Sequence, residues 1–419
     1  MKGFHFVTKQ ERTFKINMLR ASIQYFATML TRQYESLYIM ALGANPLQLG
    51  AVNSLGGLAG AAAALPTGWS VDRYGLRKTF LFGTSLMALG ALLFALATNW
   101  IVVIPAIIIA TLAVNILGTA CPAVCGSCLS NEERATGMQL CDTVSAAPAL
   151  IAPLIGAMTA TEFGGMNEKG IRPLFYLQIA VICLTLTLVL KEFTNPRRRA
   201  TLTTTSDIRD GVQEVLKQGI MVKRWITFQC LSVVPLFLTP VYVPLFAAEI
   251  KNADQFILGG MAAGAMIVPL LLSIPVGRLA DKIGRKKVIY MTMPIYCLSL
   301  LILAFAPDST ALLVSGVLQG FYTLGVVTQV AMTAELVPIP LLGRWWGILG
   351  LFRGVISVFA PIFAGVIWST IDPSHVLFFM ILTQLLSIPL LSTMPETLKV
   401  KRKTDGHPQG SSSPNNFST

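Results

Sequence analysis

Apolar runs of about 20 residues, each long enough to cross a bilayer's hydrocarbon core, recur between residues 15 and 394 of this 419-residue chain. No other feature restricts the fold as strongly. The chain is 54% hydrophobic and 12% charged, whereas soluble domains carry about 25% charged residues. A soluble fold has no place for so much apolar surface, because its exterior must be largely polar. The alternation of apolar and polar residues that a membrane barrel needs is absent. The expected fold class is therefore an all-α membrane protein of twelve transmembrane helices. The spans read as residues 15–41, 47–69, 79–97, 100–127, 137–160, 172–192, 225–248, 254–276, 288–306, 310–336, 345–370 and 374–394.

The net charge of +12 follows from topology and implies no nucleic-acid partner. With both termini placed in the cytoplasm, Arg32 and Arg353 fall inside spans and Lys169, Arg172 and Lys251 on the outer side. The remaining 27 of 32 Lys and Arg are then cytoplasmic, which is how basic residues orient helices and meet anionic headgroups. A multi-pass cell-membrane protein is expected, with the lipid bilayer as partner and a monomeric state. The polar start "MKGFHFVTKQERTFKINMLR" lacks the features of a cleaved signal peptide. All seven cysteines fall in spans or at their cytoplasmic ends, so no disulfide framework is implied. Cys121, Cys125 and Cys128 have the Cys-x3-Cys-x2-Cys spacing of iron–sulfur enzymes that cleave S-adenosylmethionine. On a membrane helix, small apolar packing residues are the better reading, and neither metal nor cofactor is expected.

Most connections are as short as "GANPL" at 42–46. The exception, residues 193–224, reads as a cytoplasmic linker, with Ser206-Asp207 placed to cap an amphipathic helix. It divides a six-helix half, residues 1–192, from a second half, residues 225–396. Residues 397–419 form a Ser/Pro/Gly/Asn-rich tail expected to be disordered. The halves repeat one another. "PTGWSVDRYGLRKTF" (66–80) corresponds to "PVGRLADKIGRKKVIY" (275–290), with Asp72 and Asp281 at an offset of 209 (281 − 72). Arg134 and Arg344, each in Arg-x-x-Gly, are 210 apart (344 − 134), and Pro153 and Pro361, each in Ala-Pro, are 208 apart (361 − 153). Repeats of this kind place a solute site between the halves, near mid-membrane.

The pattern Gly68-x-x-x-Asp72-Arg73-x-Gly75-x-Arg77-Lys78 resembles the signature of the major facilitator superfamily between its second and third helices. Gly277-x-x-x-Asp281-Lys282-x-Gly284-Arg285-Lys286 resembles the copy between helices eight and nine. The likeness extends over essentially the whole chain. It implies two pseudo-symmetric six-helix halves that work by alternating access, and a cytoplasmic gate built on these loops together with Arg134 and Arg344. Glu335, at the cytoplasmic end of helix ten, is expected to pair with the second loop. Gly68 and Gly277 suit close helix approach, and Gly75 and Gly284 suit tight turns. Arg77, Lys78, Lys286 and Lys287 mainly enforce topology, but Asp72 and Asp281 do not, because acids contribute little to that rule.

Charges inside spans cost about 2.5–3.5 kcal/mol each on insertion scales and are functional candidates by default. Arg32 and Glu35, three apart in the first span, would share a helix face. Burial and a neighbouring cation act oppositely on a carboxyl, so the pair suits proton coupling; the alternative is a static pair near the outer headgroups. Asp142 and Arg353 occupy near-equivalent repeat positions and fit either coupling or the gate. Asn53, Asn115, Gln229, Tyr242, Gln319, Tyr322 and Gln329 are cavity-lining candidates that equally suit interhelical hydrogen bonds. No span contains a histidine, so a histidine relay is not expected.

These readings define a non-enzymatic secondary transporter of a small-molecule substrate, driven by a proton gradient. No phosphate-binding Gly-x4-Gly-Lys-Ser/Thr loop is present to suggest ATP-driven pumping. Ala152-Pro153-Leu154-Ile155-Gly156-Ala157 partly resembles the glycine-rich helix-five element of the superfamily's exporters. Pro395-Glu396-Thr397 resembles an ending of its sugar carriers. The leading reading is this proton-coupled transporter, with drug or metabolite export as one direction, although the helix-four stretch "AVNILGTA" lacks the arginine that exporters often place there. Uptake of a sugar, organic acid or other nutrient by a symporter or facilitator is second and a transport-inactive scaffold or sensor third.

Overall fold

The structure is a computed structural model that describes residues 12–128, 134–193, 220–336, 342–394 and 396. Among these residues every regular element is an α-helix. The first half comprises α1 Arg12–Thr31, α2 Glu35–Ala41, α3 Pro46–Tyr74, α4 Leu76–Leu96, α5 Trp100–Cys128, α6 Arg134–Ala149, α7 Ala152–Glu162 and α8 Glu168–Glu192. The second comprises α9 Ile220–Ser232, α10 Val234–Glu249, α11 Gln255–Ile283, α12 Arg285–Phe305, α13 Ser309–Glu335, α14 Leu342–Thr370 and α15 Ser374–Ser392. The helix of α9 thus starts inside the segment expected to be linker. The helix expected after Ser206-Asp207 and the tail from residue 397 lie outside the described residues.

Three expected spans are broken: the first at residues 32–34 between α1 and α2, the fifth between α6 and α7, and the seventh at Val233 between α9 and α10. Irregular backbone at membrane depth persists only where its polar groups find other partners. At the third break the Leu236 amide turns to the Val233 carbonyl at 3.0 Å. The Ser232 carbonyl accepts instead from the Tyr322 hydroxyl at 2.9 Å and the Gln384 amide at 3.2 Å. Among the described residues ten helical stretches are long and apolar enough to cross a membrane. The exceptions are the first span, interrupted and polar, and α3, whose sequence is rich in Gly and Ala. Both adjoin the cavity described below.

Side-chain caps start several helices at the tight turns. The Asp254 carboxylate accepts from the Ile257 amide, Asp308 from Ala311 and Asn167 from Gly170, at 2.8, 2.8 and 2.9 Å, satisfying first-turn donors that lack helical partners. Gly75 and Gly284 make one-residue turns at φ +80° and +108°, which side chains other than glycine's rarely permit.

Packing repeats between the halves. In the first, α5 packs on α3 and α4; in the second, α13 packs correspondingly on α11 and α12. Across the halves, α3 lies against α14 and α7 against α11, while α2 meets α10. The buried cores show where the halves join. At the end of the bundle bearing the 193–224 connection, the linker end, each half has its own core. One is built around Phe80, Leu117 and Phe193, the other around Trp225, Trp345 and Met293. At the far end a single core runs across both halves, from Tyr38, Phe94 and Phe175 to Phe246, Trp368 and Met380. Hydrogen bonds join the halves at this end: Tyr34 with Gln255, Gln255 with Thr161 and Tyr242 with Pro46. The molecule is sealed at the far end.

Candidate solute cavity and linker-end charge clusters

The break after Thr31 governs the central cavity. Within one continuous helix, Arg32 and Glu35 would sit nearly a turn apart on one face; instead the first stands in the break and the second opens α2. Both line a cavity of about 350 Å³ enclosed by both halves. Its other polar lining includes Thr28, Ser36, Asn53 and Gln178, and Ile39, Phe94, Leu236 and Phe237 contribute apolar walls. Arg32 is exposed to this space and Glu35 half-buried. No ion pair within 4.0 Å joins them, although a charge-to-charge influence of Arg32 reaches Glu35. The Thr31 hydroxyl donates to the Glu35 carboxylate at 3.3 Å. The cavity therefore presents a guanidinium and a carboxyl group that form no ion pair with each other. Few polar groups within apolar walls, in a volume of this order, describe a small-molecule site.

The other expected solute contacts are dispersed. Asn115 donates to the Thr111 carbonyl of its own helix at 2.9 Å. Asp142 is exposed and does not meet Arg353, which faces the second half. There a buried polar network forms, in which Gln229 donates to Thr333 at 3.1 Å and accepts from Arg353 at 3.5 Å. Ser232 donates to Gln329 at 3.1 Å beside it, and Trp225 donates to Thr333 at 3.0 Å. Gln319 donates to Ser315 at 3.2 Å and stays within α13. Gln229, Gln329 and Arg353 thus tie helices together, the lipid-embedded alternative to lining a cavity, whereas Asn115 and Gln319 bond within their own helices.

At the linker end the second loop is densely bonded. Arg285 pairs with Glu335 at 2.9 Å and lies 3.7 Å from Asp281. The Glu396 carboxylate accepts from the Arg285 and Lys286 amides at 2.9 and 3.1 Å, an anion at the positive end of α12. The Lys286 ammonium donates to the Ser392 and Met394 carbonyls at 2.8 and 2.7 Å. In the first half, Arg77 donates to the Leu190 carbonyl at 2.6 Å, while Arg12 pairs with Glu192. Arg77 and Lys286 thus do more than orient the chain: each ties its loop to the last helix of its own half. Arg73 lies 5.7 Å from the centre of the Tyr74 ring and Lys78 is exposed. Gly277 has open space where a Cβ would stand, so it makes no close helix contact in this conformation. The side chains of Asp72, Arg134 and Arg344, and the surroundings of Gly68, lie outside the description.

Arg20, counted from sequence with the cytoplasmic basic residues, is instead 2% exposed inside α1. Its Nε donates to Asn17 at 3.2 Å, it hydrogen-bonds Gln24, and its guanidinium stacks 4.1 Å from the Phe80 ring centre. Asn17 in turn donates to the Cys121 sulfur at 3.3 Å. The spacing of Asn17, Arg20 and Gln24, three and four residues apart, is the sequence signal for this shared face. Cys121 therefore packs within a polar cluster. Among the described residues no group of three or more potential ligands could hold a metal ion.

A two-half helical bundle, closed at one end around a central cavity with charged inter-helix loops at the other, defines a membrane transporter of the alternating-access kind. The family model described as "Major Facilitator Superfamily" matches residues 21–269 and 236–416, and the chain belongs to that family. It is 26% identical over 312 residues to the multidrug resistance protein MdtG of Salmonella schwarzengrund, covering 70% of this chain and 73% of that protein. The MdtG protein of Enterobacter lignolyticus is 25% identical over 312 residues, covering 70% and 71%. Among solved structures, nucleoside transporter NupG superposes with a TM-score of 0.73 at 14% identity, over 92% of this chain and 100% of that one. A D-xylose–proton symporter gives 0.74 at 13%, over 92% and 98%. These two structural likenesses show the shared fold.

Proposed function

We propose that this chain exports a small, largely apolar organic solute across the cell membrane by exchange for protons, with Glu35 as the proton carrier. The observation that carries the reading is the placement of Arg32 and Glu35 at a helix break, unpaired with each other, on a cavity enclosed by both halves. Apolar walls favour the neutral carboxyl and a guanidinium favours the carboxylate. Solute that displaces water from around Glu35, or takes up the Arg32 charge, shifts that balance and links proton release to occupancy. Export is supported by the likeness to the MdtG relatives, which are named multidrug resistance proteins. On this reading the linker end faces the cytoplasm, and the conformation described is open to that side.

The test is flux in proteoliposomes with an imposed proton gradient, using lipophilic cationic, neutral and anionic probes and, separately, sugars and nucleosides. Proton-driven movement of a lipophilic probe, abolished by Glu35→Gln while probe–probe exchange persists, is the expected result. Unchanged proton-driven accumulation by Glu35→Gln refutes the coupling role. Accumulation of a sugar or nucleoside with inward proton movement refutes export in favour of uptake.

A further inference from the structure

The far-end seal is built twice, from residues half a chain apart. The Tyr34 hydroxyl lies 3.0 Å from the Pro153 carbonyl in its own half and 3.1 Å from the Gln255 carbonyl, which begins α11 in the other half. The Tyr242 hydroxyl lies 2.8 Å from the Pro361 carbonyl in its own half and 3.5 Å from the Pro46 carbonyl, which begins α3 in the other half. Every member has its counterpart: Tyr34 with Tyr242 and Pro153 with Pro361 at an offset of 208, and Pro46 with Gln255 at 209. Both tyrosines are fully buried.

Glycines permit the approach in both copies. A Cβ at Gly50 would stand 2.4 Å from the Pro361 carbonyl oxygen and 2.8 Å from the Tyr242 hydroxyl. At the equivalent Gly259 it would stand 2.9 Å from the Pro153 carbonyl oxygen. Gly156 and Gly365, also 209 apart, leave room for the Tyr34 ring and the Tyr242 hydroxyl, at 2.9 and 3.1 Å from their would-be Cβ atoms.

We infer that Tyr34 and Tyr242 are the two bolts of a duplicated far-end clasp, and that releasing their bonds to Gln255 and Pro46 is the step that opens this end. The inference rests on the alternating-access reading but on no assumption about cargo or proton coupling. A phenol has one proton to donate, and here two carbonyls compete for it, one in each half. When the halves part, each hydroxyl keeps its own-half proline carbonyl, so no buried donor is left without a partner. Orphaning such a donor would be a large penalty. The clasp can therefore open and close at small cost. Its duplication shares the holding energy between the α7–α11 and α3–α14 seams.

The experiment is hydrogen–deuterium exchange of the full chain in lipid nanodiscs, read in residues 47–58 and 256–267 on the two seams. Tyr34→Phe and Tyr242→Phe each remove only a hydroxyl, and each raises seam exchange about threefold, reaching about tenfold together, as expected for a fraction of one hydrogen bond apiece. Tyr38→Phe is the control. Its hydroxyl is equally buried but bonds Phe94 and Ala97 in its own half, at 3.1 and 3.5 Å, and it should leave seam exchange unchanged. Gly50→Ala and Gly259→Ala should raise exchange at the same seams by crowding the closed state. Exchange unaltered by both phenylalanine variants, or altered equally by Tyr38→Phe, overturns the assignment to the tyrosines. Solute flux of the same variants is measured separately, so loss of the clasp is distinguishable from loss of transport.

Discussion

Gly284 and Glu396 form a contact whose energetics can be worked out atom by atom. Gly284 holds φ +108° and ψ 146° between α11 and α12, a region that is nearly glycine-only and costs other residues about 1–3 kcal/mol. A Cβ there would stand 2.5 Å from a Glu396 carboxylate oxygen. Glu396 sits so close because it accepts from the amides of Arg285 and Lys286. Losing that anionic cap costs about 2 kcal/mol, within the range for capping and charged hydrogen bonds. Glu396→Ala should therefore cost about 2 kcal/mol in local opening of the start of α12, or about 30-fold faster amide exchange at 285–288. Gly284→Ala should cost about 4 kcal/mol, because it imposes backbone strain and also expels the carboxylate. The double variant should cost no more than Gly284→Ala alone, since the bonds lost with Glu396 are already lost. A double-mutant cycle by hydrogen exchange thus predicts a coupling of about 2 kcal/mol. Additive effects would refute the reasoning, showing that the carboxylate is not seated against Gly284.

Three further outcomes can be checked. Glu35→Gln should abolish proton-driven accumulation while sparing exchange, and transport of the variant should lose its dependence on the imposed gradient. Arg20→Lys keeps the charge but loses the Nε bond to Asn17 and the flat face over Phe80; since the two cations are not equivalent at a stacked site, it should cost about 2 kcal/mol, seen as a lower melting temperature in detergent. The Ser374 amide donates to the Asp372 carboxylate at 2.8 Å and holds its carboxyl below the usual range. The stabilisation of the α14–α15 turn by this bond is therefore present at neutral pH and lost as pH falls through the depressed value. Acidification should lower the protection of the Ser374 amide, its exchange measured relative to the intrinsic rate at each pH, and Asp372→Asn should remove that pH dependence.

Much of the site was legible where charge is rare. Arg32 and Glu35 stand out because any charge in an apolar run is costly, and both do line the cavity. The break between them was hidden, since Thr31 to Ser36 contains neither glycine nor proline to announce a helix interruption. Arg20 was hidden for the opposite reason: near the end of a span, a buried arginine and a topology-setting one look alike. Its contacts with Phe80 and, through Asn17, with Cys121 bring together residues 60 to about 100 positions away. Gln229 and Gln319 were equivalent polar candidates in sequence. Only packing distinguishes the first, bonded to Thr333 on another helix, from the second, bonded within its own.

By itself the sequence determined the membrane-spanning class, the division into repeated halves and the sites of the charged loops. These follow from local quantities: the length of each apolar run, the glycines that permit one-residue turns, and motifs that recur at half the chain. Tertiary structure alone decided which end is sealed, that Tyr34 and Tyr242 meet carbonyls of the opposite half, and that Glu396 completes the second loop. Such contacts join residues roughly 110 to 220 positions apart, and no local preference records them. They exist because irregular or exposed backbone at membrane depth must find hydrogen-bond partners, and only the packed bundle determines which groups are near enough to serve.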